Sequence, residues 1–514
     1  MLALAAHSQS SLMISPSGSP TSPSRSFWTA ALIVSTLTIV RLAALRVSAV
    51  DLFFDESQYW SWSRELASGY FSKPPLLAWF IAAAEHLCGA SEACIRSPAP
   101  LMSLGTSLLA YATGRTLYDA RTGFWAAMLA AFGTGSVFAA RIVSTDMPLV
   151  LFWSLALFAY VRLLEKADWR WALMLGLAIG AGLLAKYAML YFLPGLVLAA
   201  AFEKRARALL KSHELWLALG SAVIVALPNI IWNAANGFVA FHYAGGNVIG
   251  EPIEPSLMRP LEFLAAQFAV FGPAVFGVAI VAAIALVGSK GSSRLLPADR
   301  ILIAFALPPL VVVTATASLV HAYANWAAAA FIPLAVLASA VLVRRNLSIL
   351  LWGSLALGLA AQVVLIGADA TATSIRLPFL SKPNPYYRTL GWNAYGRAVG
   401  QLARKLGIST IASDTRAEVA SLLYYWRDQP EEILAWPTTE DLPGFDLKRG
   451  LTAAAPQPVL FVTQCQDVER LQHFYAKVTP LGVFVPDDPV PRGFAAFALE
   501  APLGPIRPLA PCPP

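Results

Sequence analysis

Residues 51–79 read DLFFDESQYWSWSRELASGYFSKPPLLAW, and they follow directly on an apolar run at about 27–45. A run of that length and composition is enough to cross a bilayer as a helix. The stretch after it sets two adjacent carboxylates, Asp55 and Glu56, among the rings of Tyr59, Trp60, Trp62, Tyr70 and Phe71. A lone cation, Lys73, then precedes the rigid pair Pro74-Pro75. Ionisable groups at a bilayer boundary are costly unless paired or solvated, so each is a functional candidate. Amphipathic rings suit the same boundary. A loop holding acids, one lysine and these aromatics is suited to a polar, anionic headgroup on a lipid tail.

Outward from this loop, apolar runs of about twenty residues recur along the first two thirds of the chain. Of its 514 residues 57% are hydrophobic and only 13% charged, and a soluble domain carries about 25% charged. Hydropathy gives about eleven spans, at 27–45, 97–117, 122–140, 147–164, 171–187, 188–202, 214–232, 263–287, 300–319, 326–343 and 347–367. The run at 76–88 is short and contains Glu85 and His86, which predicts a helix lying in the interface, with a short span as the alternative.

Charge bias orients these spans. One set of alternate loops holds Arg121, Lys166, Arg170, Lys204, Arg205, Arg207, Lys211, Lys290, Arg294, Arg344 and Arg345. The opposite set holds Asp51, Asp55, Glu56, Asp146, the segment 233–262 and the segment 321–325. The positive-inside rule then puts the amino terminus in the cytoplasm and the first loop and carboxyl-terminal region outside. The net charge of +7 therefore reads as topology, with no nucleic acid implied.

The domain organisation expected is a disordered cytoplasmic tail at 1–26, a membrane domain at 27–368 and a soluble domain at 369–514. The membrane domain includes a first outer loop, 48–96, carrying juxtamembrane helices. From about 369 the chain turns polar and Pro-rich; strands are expected at 458–462, 482–485 and 494–499, and helices at 417–426 and 468–476. About 145 residues can bury a core of their own, as a small α/β domain. The four cysteines, Cys88, Cys94, Cys465 and Cys512, show no metal-binding spacing and are left as free or disulfide-bonded thiols.

Asp55 is placed to take a proton from an acceptor hydroxyl, or to cap the helix that FDESQYW begins. Glu56 has the same two readings. Asp146, in RIVSTDMP, suits a helix start with Pro in the first turn. Topology also puts it on the face that carries Asp55. Lys73, Lys186 and Arg259 could answer the charge of a phosphate. Lys186 interrupts the apolar hairpin GAGLLAKYAMLYFLP at 180–194, where it could equally be a snorkelling lysine. Arg141 reads as a membrane anchor. Tyr59, the segment 227–242 ending in His242, and the group His321, Asn325 and Trp326 offer rings and amides for a sugar. An interfacial aromatic belt is the competing reading.

Taken in order, the acid pair after the first span, KPPLLAW, Asp146, Lys186 and HAYANWAAAAFIP at 321–333 form a pattern. It resembles the GT-C polyprenyl-phosphate-sugar transferases of glycosyltransferase family 39, whose members modify proteins, lipid A or lipopolysaccharide. The resemblance spans about residues 27–345. It implies a polytopic α-helical GT-C fold, and it matches Asp55 to the family's catalytic carboxylate, Asp146 to its second acid and Lys73 to the lipid phosphate. The implied activity is inverting transfer of a sugar from a polyprenyl-phosphate donor to an envelope glycolipid such as lipid A or lipopolysaccharide core. The implied place is the periplasmic face of a bacterial inner membrane, with the carboxyl-terminal domain periplasmic. A protein acceptor is the near alternative. A lipid-linked sugar flippase would call for broken mid-membrane helices and an internal repeat, neither of which the sequence shows. A non-catalytic scaffold leaves the acid–lysine loop without a purpose. Nothing in the sequence supplies a ligand cluster for a divalent cation, although the chemistry would tolerate one.

Overall fold

Helix boundaries follow the apolar runs closely, and the departures from them have local causes. The computed structural model describes residues 23–243, 255–287, 295–437 and 448–509. The expected tail lies almost wholly outside the described residues, as does Cys512. Among the described residues six helices are long and apolar enough to cross a membrane. They include the first helix, Pro23–Val47, together with Asp146–Glu165, His213–Ala235 and Ser348–Ala370. The run at 76–88 forms a 13-residue helix, Leu76–Cys88.

The segment expected to span at 263–287 is two helices, Met258–Val270 and Pro273–Val287. Gly272 between them has φ +87°, a conformation that ends helices, and Pro273 opens the next one. Both ends of Met258–Val270 are tied down by hydrogen bonds. The Ser256 N–H donates to Ser318 O at 2.9 Å, Gln267 Nε2 donates to Ala324 O at 3.2 Å, and the Thr134 hydroxyl donates to Ala269 O.

The chain folds as two units. The first comprises the described residues within 1–43, 97–237 and 244–364. Its core packs Trp153 edge-on to Phe192 (5.1 Å between ring centres), Phe192 tilted on Phe305 (4.5 Å) and Tyr160 edge-on to Phe305 (5.0 Å). Helices Trp169–Ala185 and His213–Ala235 meet through Gly176 and Gly180. A Cβ at Gly176 would come within 2.1 Å of Ser221 Oγ, and one at Gly180 within 2.5 Å of Val225. Small residues four apart allow this close approach.

Two groups of polar contacts tie helix ends together in this unit. At one end Tyr118 donates to Asp299 (2.7 Å), which also pairs with Arg344 (2.9 Å), and Arg300 pairs with Glu203 (2.9 Å). At the other end come together the segments carrying Asp146, Lys186, Asn325, Gln267 and Ser318.

The second unit comprises residues within 44–96, 238–243 and 365–514. It holds a five-stranded sheet in the order β2-β1-β3-β5-β4. The strands are β1 Thr410–Ser413, β2 Glu432–Ala435, β3 Val459–Thr463, β4 Tyr475–Phe484 and β5 Phe494–Pro502. β1 runs parallel to β2 and β3, while β5 is antiparallel to β3 and β4. β1 and β3 are buried throughout, as expected of parallel strands covered on both faces. Helices Trp392–Leu406 and Arg416–Tyr425 pack Tyr395, Val399, Val419 and Leu422 against Ile411, Leu460 and Val462. The helix expected at 468–476 is one turn, Glu469–Gln472, because the chain enters β4 at Tyr475.

The loop 48–96, drawn with the membrane domain on sequence, packs with the carboxyl-terminal residues. Ala49 N–H donates to Asp369 O (2.9 Å), Leu52 N–H to Tyr425 Oη (2.6 Å) and Asn393 N–H to Asp51 Oδ2 (3.2 Å). Cys88 and Cys94 form a disulfide within it.

Candidate active site

The FDESQYW run forms a helix, Phe54–Ser63, with both acids in its first turn, where carboxylates meet unpaired N–H groups and the positive helix end. The neighbouring acids then part company. Glu56 is buried, and its carboxylate takes two bonds from Arg96: Nη2 at 2.6 Å and Nε at 2.9 Å. Glu56 Oε2 also accepts the Phe53 N–H at 2.9 Å, the capping arrangement that the sequence allowed. Arg96 further donates to Val50 O and Asp51 O, so this pair pins the loop to itself. Asp55 keeps 34% of its side chain exposed. Its Oδ1 is bonded by Arg416 Nη2, and Arg416 Nε donates to Gln58 Oε1 at 2.6 Å.

Tyr59 is nearly buried, its ring tilted on Trp62 at 5.5 Å. Lys73 closes a tight turn in which its carbonyl accepts the Tyr70 N–H at 3.1 Å. That turn is organised by Tyr70: its ring stacks on Trp62 at 4.7 Å, and its hydroxyl donates to Trp62 O at 2.8 Å and accepts the Ala67 N–H. His242 is exposed, next to Tyr243, whose ring meets Phe71 at 5.5 Å.

In the other unit Asp146 opens helix Asp146–Glu165, Lys186 ends helix Trp169–Ala185, and Asn325 lies in the 3-10 turn Ala324–Ala330. The structure gathers them at one carboxylate: Lys186 Nζ is 2.6 Å from Asp146 Oδ1, and Asn325 Nδ2 donates to Oδ2 at 2.7 Å. Beside Lys186, Tyr187 Oη bonds Asn229 Oδ1 (3.1 Å) and accepts from Asn233 Nδ2 (3.0 Å). His321 is exposed and packs edge-on to Tyr323 at 4.9 Å. Arg259 lies in the first turn of Met258–Val270, its N–H donating to Ser256 Oγ.

Three arginines escaped the sequence reading. Arg96 and Arg416 hold the acid pair. Arg41 is buried in the first helix and donates to Gln362 Oε1 (2.7 Å), Ser103 Oγ (2.9 Å) and Ala131 O (2.8 Å). An ionisable residue inside a hydrophobic span was a usable signal for Arg41.

Outside the spans, burial pushes the Asp51 carboxyl up to about 7, aided by nearby Glu92, against a lowering bond from the Asn393 N–H. Burial also raises Glu92, which accepts the Tyr425 hydroxyl at 2.6 Å. Glu418, fully buried beside Asp414, rises to about 7 as well. Among the described residues no three His, Cys, Asp or Glu side chains are grouped to hold a metal ion.

Residues 72–232 match the family model described as dolichyl-phosphate-mannose-protein mannosyltransferase. The chain is 32% identical over 416 residues to the lipid A galacturonosyltransferase RgtD of Rhizobium johnstonii, covering 79% of this chain and 84% of that one. It is 26% identical over 216 residues to the lipopolysaccharide core galacturonosyltransferase RgtA of the same organism, covering 41% and 43%. Its fold is similar to that of ArnT from Cupriavidus metallidurans, solved with undecaprenyl phosphate, at TM-score 0.63 and 16% identity over 90% of this chain and 97% of that one. The chain is a glycosyltransferase of the GT-C fold and belongs to the family of the lipid A galacturonosyltransferase RgtD.

Proposed function

We propose that the protein transfers a sugar, with inversion, from a polyprenyl-phosphate donor to lipid A or lipopolysaccharide core at the periplasmic face of a bacterial inner membrane. About eleven spans, a cytoplasmic amino terminus and a periplasmic carboxyl-terminal domain complete the reading. The Cys88–Cys94 disulfide supports it, since such bonds persist in oxidising compartments. Galacturonic acid is the donor sugar favoured by the relatives' activities.

The observation that carries the mechanism is the split fate of the acid pair. Glu56 is buried and fully engaged with Arg96, so Asp55 is the one whose carboxylate can meet a substrate. Arg416 occupies Oδ1 of Asp55, which leaves Oδ2 to accept the proton of the attacking acceptor hydroxyl. The new bond forms at the anomeric carbon as the bond to the phosphate oxygen breaks. Negative charge then grows on the departing polyprenyl phosphate, and Lys73 and Lys186, with Arg259, are the cations proposed to stabilise it. Lys186 spends one of its three donors on Asp146 and keeps two for phosphate oxygens.

A protein acceptor is the second reading, favoured by the description of the family model at 72–232. Mass spectrometry of lipid A and core oligosaccharide from a deletion strain and its complemented parent separates the two. Loss of one sugar from the glycolipid, restored by the gene, is the expected result; an unchanged glycolipid with altered glycoproteins would favour the second reading.

A further inference from the structure

We propose that Arg416, from the carboxyl-terminal sheet domain, is the positioning residue for the Asp55 carboxylate, so that this domain completes the catalytic machinery. The proposal rests on the reading of Asp55 as the base. Three contacts fix the guanidinium on one face of helix Phe54–Ser63. Its Nη2 bonds Asp55 Oδ1, its Nε bonds Gln58 Oε1 at 2.6 Å, and its plane lies over the Phe54 ring at 5.1 Å. Asp55 and Gln58 are three apart and Phe54 and Gln58 four apart, so all three present to one side of that helix. A planar guanidinium with fixed donors suits this multipoint grip, whereas a lysine has one mobile charge.

What holds Arg416 there is equally specific. It is the first residue of helix Arg416–Tyr425, and the Thr415 side chain caps that helix by accepting the Glu418 N–H at 3.3 Å. Two acids, Glu418 buried and Asp414 largely so, flank it and anchor the turn to the ends of β1 and β3. Glu418 accepts from the Ser413 hydroxyl (2.5 Å) and Gln464 Nε2 (2.6 Å). Asp414 accepts from Arg470 Nη2 (2.8 Å) and the Thr463 hydroxyl (3.0 Å). Farther along the same helix, the Tyr424 ring meets Trp60 edge-on at 5.1 Å, and its hydroxyl donates to Ala90 O at 2.8 Å. A buried polar network of this kind sets direction, because a small shift would leave several groups unpaired. Its effect at the surface is a guanidinium delivered to Asp55 at a set angle.

The experiment measures initial rates of sugar transfer in membranes, with a polyprenyl-phosphate-linked galacturonic acid donor and lipid A acceptor. It uses wild type, Arg416→Ala, Arg416→Lys, Asp55→Asn and the double variant Asp55→Asn/Arg416→Ala. Misplacing a base by about 1 Å costs on the order of 10²-fold. Arg416→Ala is therefore expected to lose about that factor in kcat, with KM for donor and acceptor little changed. Arg416→Lys should fall between it and wild type, and added guanidinium should restore part of the Arg416→Ala rate. The double variant should be no slower than Asp55→Asn. If Arg416→Ala does not fold, as read by its thermal transition, Arg416→Lys is required to show a smaller loss in kcat, again with KM little changed, and wild-type kcat in Arg416→Lys would then overturn the proposal. Wild-type kcat in Arg416→Ala, a rate above wild type, or a loss confined to KM would each overturn the proposal while Asp55→Asn stays inactive. Transfer retained by Asp55→Asn would instead remove the base on which it rests.

Discussion

Lys186 Nζ lies 2.6 Å from Asp146 Oδ1, and Asn325 bonds the other oxygen of the same carboxylate at 2.7 Å. Three helix junctions far apart in sequence thus converge on one acid. The arrangement holds an ammonium in place at low entropic cost and keeps part of its donor capacity open. Lys186→Met is expected to slow transfer by about 10²–10³-fold, as is Asp146→Asn, which frees the lysine. Asn325→Ala keeps the ion pair and should cost about tenfold or less. Steady-state transfer assays with varied donor check the order; an Asn325→Ala defect larger than that of Lys186→Met would contradict it.

The Glu56–Arg96 pair is a structural device. Removing one partner leaves a buried charge uncompensated, which costs about 3–5 kcal/mol. Arg96→Ala and Glu56→Ala should therefore lower the unfolding temperature and the amount recovered in membranes. Glu56→Gln keeps an acceptor for the Phe53 N–H and should be milder. Thermal unfolding followed by tryptophan fluorescence reads all three; a Glu56→Gln variant that is stable yet inactive would return Glu56 to the chemistry.

Asp51 links stability to pH. Its folded value of about 7 stands above the ordinary 3.8, because burial and then Glu92 penalise the charged form. The folded state therefore holds a proton that the unfolded chain has lost between these values. The stabilisation is present at low pH and disappears as pH rises through about 7. Asp488 and Arg492 also act on this carboxyl, in opposite senses. The unfolding temperature is expected to fall from pH 5.5 to 8, and Asp51→Asn, which can still accept the Asn393 N–H, should flatten that slope. An unchanged slope in the variant would contradict the assignment.

The disulfide between Cys88 and Cys94 closes a short loop, with a sequence separation of 6. Loop-closure entropy assigns it about 2 kcal/mol. Cys88→Ser and Cys94→Ser should each lower the unfolding temperature by a similar amount, and reductant should lower that of wild type by more than it lowers theirs, since Cys465 is also disulfide-bonded.

Much of this molecule is legible in its sequence, and the limits have physical reasons. The apolar runs locate the helices because lipid demands continuous hydrophobicity. They misread 263–287 because a left-handed Gly272 before Pro273 turns one run into two helices. The strands at β3 and β5 show as apolar stretches, whereas β1 and β2, four residues each, are too short to carry a pattern. Asp55, Asp146 and Lys186 stood out as charges near apolar runs. Arg416 did not, since the partner it meets at Asp55 is 361 residues away and its own surroundings read as an ordinary first helical turn. The exposed His242 and His321 were singled out by residue type, which says nothing of geometry.

The central claim is that Asp55 takes the acceptor's proton. Its most direct test is the rate of sugar transfer from a polyprenyl-phosphate donor to lipid A by Asp55→Asn against wild type, in membranes where both are folded and equally abundant. The account predicts that the Asn variant, which keeps shape but cannot act as a base, loses at least about 10²–10⁴-fold in kcat. Transfer by Asp55→Asn at the wild-type rate would contradict it.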